Sequence, residues 1–478
     1  MFSDKDIQQI KSHGLNVNDV NHQIEMFKKG FPYTNIVKPA SDTDGILVCS
    51  DNDCQKYSSV YDEYAKNHKI VKFVPASGAA TRMFKDLFDF LNSNTSNKTS
   101  EITVKNITKF AFWDDLKKYL PENASDTDIV KCIVSDAGLN YGNLPKGLIA
   151  FHKYNNHTKT PVEEHLSEGV WYAKSGDVVN IHFTISPEHR RGFETLLERI
   201  IPQYEKEYGV KYNISLSEQK SSTDTIAVNL DNTPFRNSDN TLLFRPAGHG
   251  ALIQNLNDID ADIIFIKNID NVAVESMKND TIKYKKVLAG VLVDTQQQIF
   301  DLIKKIDSGF SDVTEIHKFV TSKIGIKINN MLSISEYRDI LNRPLRVCGM
   351  VRNTGAPGGG PFWVQNDTGV ISLQIVESSQ IAPESKNIMN EATYFNPVDL
   401  VCSVKDFQNN KFNLNEYIDE NTGFISEKSK NGVALRAMER PGLWNGAMAK
   451  WNTIFVAVPG TTFNPVKMVS DLLNPAHQ

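Results

Sequence analysis

Three short clusters in the sequence hold residues that suit phosphate chemistry. The first, Ser77-Gly78-Ala79-Ala80-Thr81-Arg82, follows the apolar run Ile70–Val74 and precedes a segment with helical spacing. Small residues at a strand-to-helix turn leave backbone N–H groups open to an anion, and Arg82 adds a fixed cationic fork. The same composition also serves plain tight packing. In the second cluster, Leu144-Pro-Lys146-Gly-Leu-Ile149, a lysine stands just before an apolar run. It is either a solvated strand flank or a point charge aimed at phosphate. The third cluster is Leu243-Phe-Arg-Pro-Ala-Gly248-His249-Gly250, followed by Ile263-Ile-Phe-Ile-Lys-Asn-Ile-Asp270-Asn271. A carboxylate closing a buried strand costs desolvation unless it pairs or binds a cation, so Asp270 reads as a Mg²⁺ ligand or as an Asp-Asn turn or cap. His249, held between two glycines, sits in a bent loop and is expected to touch a ligand.

These clusters need a scaffold. Apolar runs at Ile70–Val74, Gly147–Phe151, Val178–Ile185, Tyr212–Leu216, Ile226–Leu230 and Ile263–Ile269 alternate with amphipathic segments, which predicts an α/β domain with a mixed, mostly parallel, covered sheet. Ligands of such a sheet gather at the carboxyl ends of its strands. Thr160-Pro161-Val-Glu163 supplies an N-cap, a proline at the first helical position and a capping-box glutamate, so a helix starts there. Residues 1–69 read as a helical N-terminal extension and 70–345 as the core with a helical excursion at about 281–327. Residues 346–478 read as a C-terminal α+β region. Asn353-Thr-Gly-Ala-Pro-Gly-Gly-Gly-Pro361 is a mobile loop or a connector, and no Gly-Lys-Ser/Thr follows it as a Walker loop would require.

In order, Ser77-Gly-Ala-Ala-Thr-Arg82, Pro145-Lys146-Gly147, Pro246-Ala-Gly-His-Gly250 and Asn268-Ile-Asp-Asn271 resemble the motif series of the UDP-sugar pyrophosphorylases. Those are nucleotidyltransferases with a Rossmann-like GT-A core. Gln374-Ile-Val-Glu377-Ser-Ser more loosely resembles their segment near the sugar. The whole chain resembles the bacterial domain-of-unknown-function family DUF4301. The resemblance implies a loop at 77–81 that takes the triphosphate, a nucleoside contact at Gly248, His249 and Gly250, and a metal at Asp270. It further places Gln219, in the polar stretch Ser217–Ala227, near the base. Alanines at positions 79 and 80, where the family prefers glycine, restrict how closely backbone can approach phosphate. About sixty residues between Arg82 and Pro145 imply a looped-out insertion.

The expected reaction is nucleotidyl transfer, in which a sugar 1-phosphate attacks the α-phosphorus of a nucleoside triphosphate and pyrophosphate leaves. Such chemistry asks for positioning and charge neutralisation more than for a general base. Arg82 and Lys146 would be the catalytic cations. Two other readings are a nucleotide or nucleotide-sugar binding protein without catalysis, and a GT-A glycosyltransferase using Asp258-Ile-Asp260. That last pair precedes its strand instead of ending it.

Composition narrows the field. A chain of 478 residues with 23% charged and 40% hydrophobic residues and a net charge of −5 fits a globular protein and has no footprint for nucleic acid. The absence of a basic-then-apolar start and of any long apolar run predicts a cytoplasmic protein without a membrane partner. Five widely spaced cysteines read as buried, reduced thiols. His152, His157 and His165 lack a zinc geometry and read as structural or surface groups, with Glu164 and His165 as a minor candidate for a sugar pocket. Arg236 and Arg245 are either phosphate contacts or surface charges. Trp444 and Trp451, in Arg440–Asn452, offer aromatic faces that suit a sugar or a base, or pin the C-terminal extension to its neighbour, and packing is the preferred reading.

Overall fold

Val178-Val-Asn-Ile-His-Phe-Thr-Ile185 is rich in β-branched and aromatic residues, and it forms a strand over that whole span. It lies at the centre of a parallel sheet in a computed structural model that describes residues 2–78, 80–155, 157–355 and 358–478. The chain divides into two compact units. The first comprises 1–50, 219–262 and 291–457, and the second 51–218, 263–290 and 458–478. The chain enters each unit three times.

In the second unit the strands run in the order Ile263–Lys267, Ile70–Pro75, Val178–Ile185, Lys211–Glu218, all parallel, with the short Lys174–Ser175 antiparallel to Val178–Ile185. Ile263–Lys267 is buried throughout and Ile70–Pro75 nearly so, as expected for parallel strands covered on both faces. Lys211–Glu218 alternates between exposed and half-buried residues. The helices Pro161–Tyr172 and Arg190–Tyr208 pack Val162, Leu166, Phe193 and Leu197 against Val74, Ile181 and Phe183. Thr160 caps the first of these helices with the reciprocal Glu163 bond.

The first unit has a mixed sheet in the order Ile46–Leu47, Asn452–Ala457, Leu345–Arg352, Asp399–Ser403. The first three are parallel, and Asp399–Ser403 is antiparallel to Leu345–Arg352. A separate antiparallel sheet joins Ile36–Pro39, Gly360–Gln365 and Ile371–Val376. The N-terminal helices Asp4–Ser12 and Val17–Lys29, each with a capping box, bury Ile10, Val20, Ile24 and Phe27 against Ile226, Val228, Leu242 and Met438. Phe424–Lys430 and Val433–Glu439 form a hairpin whose Asn431-Gly432 turn has φ values of 51° and 79°.

Two expected strands are different in the structure. Gly147–Phe151 does not join the sheet: Lys146–Leu148 is a 3-10 turn, and only His152–Lys153 pairs, with Thr158–Lys159. Pro145 lacks a ladder donor, and Gly147 packs tightly beside Phe193 and Ile269, so Ile149 and Phe151 are buried outside the sheet, with the Phe151 N–H donating to Lys159 O at 3.0 Å. Ile226–Leu230 shortens to Thr225–Ile226, because Asn229–Thr233 turns sharply through Asn232 at φ 66° with Asp231 holding Thr233. Four cysteines are buried and Cys49 is half-buried, and none of the five is in a disulfide. Among the described residues no helix is long and apolar enough to cross a membrane.

Candidate functional site

In the second unit, the first two clusters and the Asn268–Asn271 turn meet beyond the carboxyl ends of Ile70–Pro75, Val178–Ile185 and Ile263–Lys267. The Ala76 N–H donates to Thr184 O at 2.8 Å, the Ile269 N–H to Pro75 O at 3.2 Å, and Ser186 Oγ to Ser77 O at 2.9 Å. The Ala80 N–H donates to Leu144 O at 3.1 Å, which ties the first cluster to the second. The turn closes the group: Lys146 Nζ donates to Asp270 Oδ2 at 2.8 Å.

Asp270 falls in the Asn268–Asn271 turn, where the Asn271 N–H returns to Asn268 O. Its side chain is nearly buried, and a second lysine reaches the same oxygen, Lys467 Nζ at 3.1 Å. Burial pushes the Asp270 carboxyl up, but Lys146 and Lys467 outweigh it and hold the group below its ordinary value. Lys146 is further fixed by Val466 O at 2.6 Å. Lys467 arrives on a strap laid along the 270–274 segment. The Asn464 N–H donates to Asn271 Oδ1, the Val466 N–H to Asp270 O, and the Val274 N–H to Ala476 O. Two ammonium groups on one carboxylate leave a net positive charge at the sheet edge, which suits an anionic ligand.

The first cluster departs from the expected cradle. Ala80–Arg82 is a 3-10 turn, and the helix begins only at Lys85, so the turn does not open directly onto a helix N-terminus. The Ala80 N–H is spent on Leu144 O. Ser77 is half-buried, while Gly78, Thr81 and Arg82 are exposed, and Arg82 makes no ion pair among the described residues. Ala79 lies outside the described residues.

The other expected ligand residues belong to the first unit. Gly248 has φ 73°, and a Cβ there would strike the Glu439 carboxylate; one at Gly250 would strike the Pro441 carbonyl. Both glycines therefore admit the 439–441 segment against the loop. Between them, His249 stacks on Trp444 with ring centroids 4.1 Å apart and planes 9° off parallel. The Leu443 N–H donates to His249 Nδ1 at 3.0 Å, which puts the ring proton on Nε2, 3.7 Å from Glu377 Oε1. Burial pushes the Glu377 carboxyl up, yet its bonds to His249 and Trp444 hold it below its ordinary value. Arg346, fully buried, fixes the Trp444 backbone by donating from Nη1 to its carbonyl at 2.6 Å. Gln219 Nε2 donates to Asp224 Oδ1 at 3.3 Å, and Asp224 also meets His13.

Several other candidates have partners within the protein. Arg236 grips buried Asp6 with two nitrogens, at 2.9 and 2.8 Å. Asp258 and Asp260 pair with Lys220 and Lys405. Glu164 and His165 are fully buried. Glu164 accepts from Tyr154 Oη and Lys278 Nζ and bonds His152, whose other nitrogen meets His477 at 2.8 Å. Burial, and then the neighbouring Lys72, push His165 well below its ordinary value. Among the described residues no three His, Cys, Asp or Glu side chains cluster as a protein-only metal cage. The sequence reading does not single out Lys467 or Arg346, and it prefers packing for Trp444 over a sugar or base contact. Lys467 has no local signal, since its partner lies 197 residues earlier.

A family model described as "Domain of unknown function (DUF4301)" matches residues 3–478. No curated protein matches the chain. Among solved structures, the chain is similar to the uridine diphosphate N-acetylglucosamine pyrophosphorylase of Trypanosoma brucei in complex with inhibitor. The TM-score is 0.52 and the identity 11%, over 95% of this chain and 74% of that one. It is also similar to the UDP-glucose pyrophosphorylase of Leishmania major, with TM-score 0.47 and 14% identity over 98% of this chain and 77% of that one. A mutant of that protein in complex with UDP-glucose gives 0.46 and 13%, over 98% and 77%. The likeness to the Trypanosoma protein shows a pyrophosphorylase-like nucleotidyltransferase fold.

Proposed function

The chain belongs to the DUF4301 family, and from that premise and its fold we propose that it is a nucleotidyltransferase forming a nucleotide sugar from a nucleoside triphosphate and a sugar 1-phosphate. The observation that carries the reading is Lys146 and Lys467 converging on Asp270 at the carboxyl edge of the parallel strands. The fold relatives are named for pyrophosphorylase activity on UDP-sugars, and one is solved with UDP-glucose.

In this reaction an oxygen of the sugar phosphate forms a bond to the α-phosphorus, the α–β bond breaks, and its electron pair leaves with pyrophosphate. The nucleophile is already anionic, so the protein's task is to hold two anions together. Lys146, fixed by Val466 O, would neutralise phosphate charge as it moves, and Lys467 would assist from the strap. Arg82 with Ser77, Gly78 and Thr81 would receive the pyrophosphate. Both lysines hold Oδ2 of Asp270, and its Oδ1 accepts no hydrogen bond among the described residues. One free carboxylate oxygen fits a Mg²⁺ that draws its other ligands from phosphates and water. Asp270 would hold that ion, which would supply further neutralisation of the triphosphate. For His249, Gly248, Gly250, Glu377 and Gln219 we keep the reading of nucleoside and sugar contacts.

A second reading, ligand binding without catalysis, draws support from the Ala80 N–H, which is already committed to Leu144 O. One experiment separates the two. Pyrophosphate release is measured with Mg²⁺ over a matrix of nucleoside triphosphates and sugar 1-phosphates, with thermal shift on the same samples. Release with one pair, lost in Lys146→Ala, is the expected result. A stabilising shift without release would favour binding alone, and neither signal would overturn both.

A further inference from the structure

The second unit also carries a cavity of about 370 Å³ at the opposite end of its sheet. Its walls come from the end of the helix Asp51–Ala65, the end of the helix Pro161–Tyr172, the Lys174–Gly176 turn and Lys286. These elements border the amino ends of the parallel strands, where the Ile70 N–H donates to Ser175 Oγ at 2.7 Å. A six-residue strand spans roughly 20 Å, so a ligand here is out of reach of Asp270.

Two features give the cavity a chemical preference. Trp171 stands in its wall 47% exposed, although its neighbour Tyr172 is buried and Tyr61 Oη donates to the Tyr172 carbonyl. An exposed indole on a fixed backbone is a ready stacking face. The charged lining is Lys66, Lys174 and Lys286 against the single carboxylate Asp62. Lys286 pairs with Asp62 at 2.9 Å and Lys66 with exposed Glu63, while Lys174 makes no ion pair among the described residues. Asp62 and Glu63 are both exposed, so water competes for each pair and an incoming anion can recruit Lys66 and the half-buried Lys286. A volume of 370 Å³ lies at the small end of ligand pockets and suits one ring system with one anionic group.

We propose that this cavity is a second ligand site that takes a small aromatic phosphate, its ring on Trp171 and its charge on Lys174 with Lys66 and Lys286. The site stands independently of the transferase reading. It is tested on the full chain with adenosine 5′-monophosphate and phenyl phosphate as probes, and with adenosine and inorganic phosphate as the halves of the ligand. Binding is read by tryptophan fluorescence and calorimetry. Saturable quenching is expected with both probes and absent in Trp171→Phe. By calorimetry, Trp171→Leu and Lys174→Glu each weaken binding about tenfold, whereas Lys146→Ala leaves it unchanged. Trp171 is exposed and Lys174 half-exposed, so both variants spare the core. The proposal is overturned if neither probe quenches, if adenosine or phosphate alone binds as tightly, if Lys174→Glu binds normally, or if Lys146→Ala abolishes the signal.

Discussion

Lys146 Nζ and Asp270 Oδ2 meet at 2.8 Å across 124 residues of sequence, and the contact ties the turn after Leu144 to the turn after Ile263–Lys267. The two groups are nearly buried, and neither can be removed without leaving the other's charge short of a partner. Lys146→Ala is therefore expected to lower stability by about 2–4 kcal/mol and turnover by about a hundredfold or more. Lys467 is 60% exposed, so Lys467→Ala should leave the melting temperature almost unchanged while still reducing turnover. Thermal melts and pyrophosphate-release rates on both variants check the pair. Equal losses of stability would refute the division of labour.

His477 gives a pH dependence with a defined sign. Burial first, and then the neighbouring His152, push its folded value down from 6.5 to about 3. Between those values the unfolded chain takes up a proton that the folded chain refuses, so stability is complete above pH 6.5 and declines as pH falls. Glu164 acts in the same direction lower down. Burial raises its carboxyl, but His152 and Lys278 bring it from 4.5 to about 2, so its contribution is lost below pH 4.5. Denaturant titrations should show a loss of about 2 kcal/mol between pH 6.5 and 5, and His477→Leu should flatten that interval.

How legible these features were depends on the distance between partners. The strand Val178–Ile185 and the Thr160 cap rest on local chemistry, and both stand as read. Gly147–Phe151 misled because an apolar run looks the same whether it enters a ladder or is buried by side chains alone. The cradle at 77–82 was drawn with free N–H groups, and the Ala80 N–H found a partner 64 residues away. Lys467 was beyond local reasoning, for no pattern around Asn464-Pro-Val-Lys467 points to Asp270.

Glu168 tests the inner charge network. It lies fully buried between Lys72 Nζ at 3.1 Å and Lys267 Nζ at 2.9 Å. Even with that partner, burial brings Lys72 down to about 7. Glu168→Gln would leave Lys72 and Lys267 buried without their shared carboxylate, at a cost of about 3–5 kcal/mol. The melting temperature should fall by about 10 °C at pH 7 and recover part of the loss at pH 9, because burying Lys72 uncharged costs less as pH approaches the unfolded lysine's value of 10.5. A variant that melts like the parent would mean that the network is already neutral.

Two glycines predict opposite outcomes for one substitution. At Gly250 a methyl group would meet the Pro441 carbonyl and the Arg440 carbonyl, both backbone atoms that cannot rotate aside. Gly250→Ala should therefore displace the 439–441 segment and with it Trp444, costing about 1–3 kcal/mol and shifting the tryptophan emission. At Gly78 nothing lies within 4 Å of the added carbon, and the backbone there is not left-handed. Gly78→Ala should keep the parent's melting temperature, so any rise in its KM for the nucleoside triphosphate reports contact between the loop and phosphate. An unchanged KM together with an unchanged melt would remove Gly78 from the proposed site and leave Lys146, Lys467 and Arg82 to hold the phosphates.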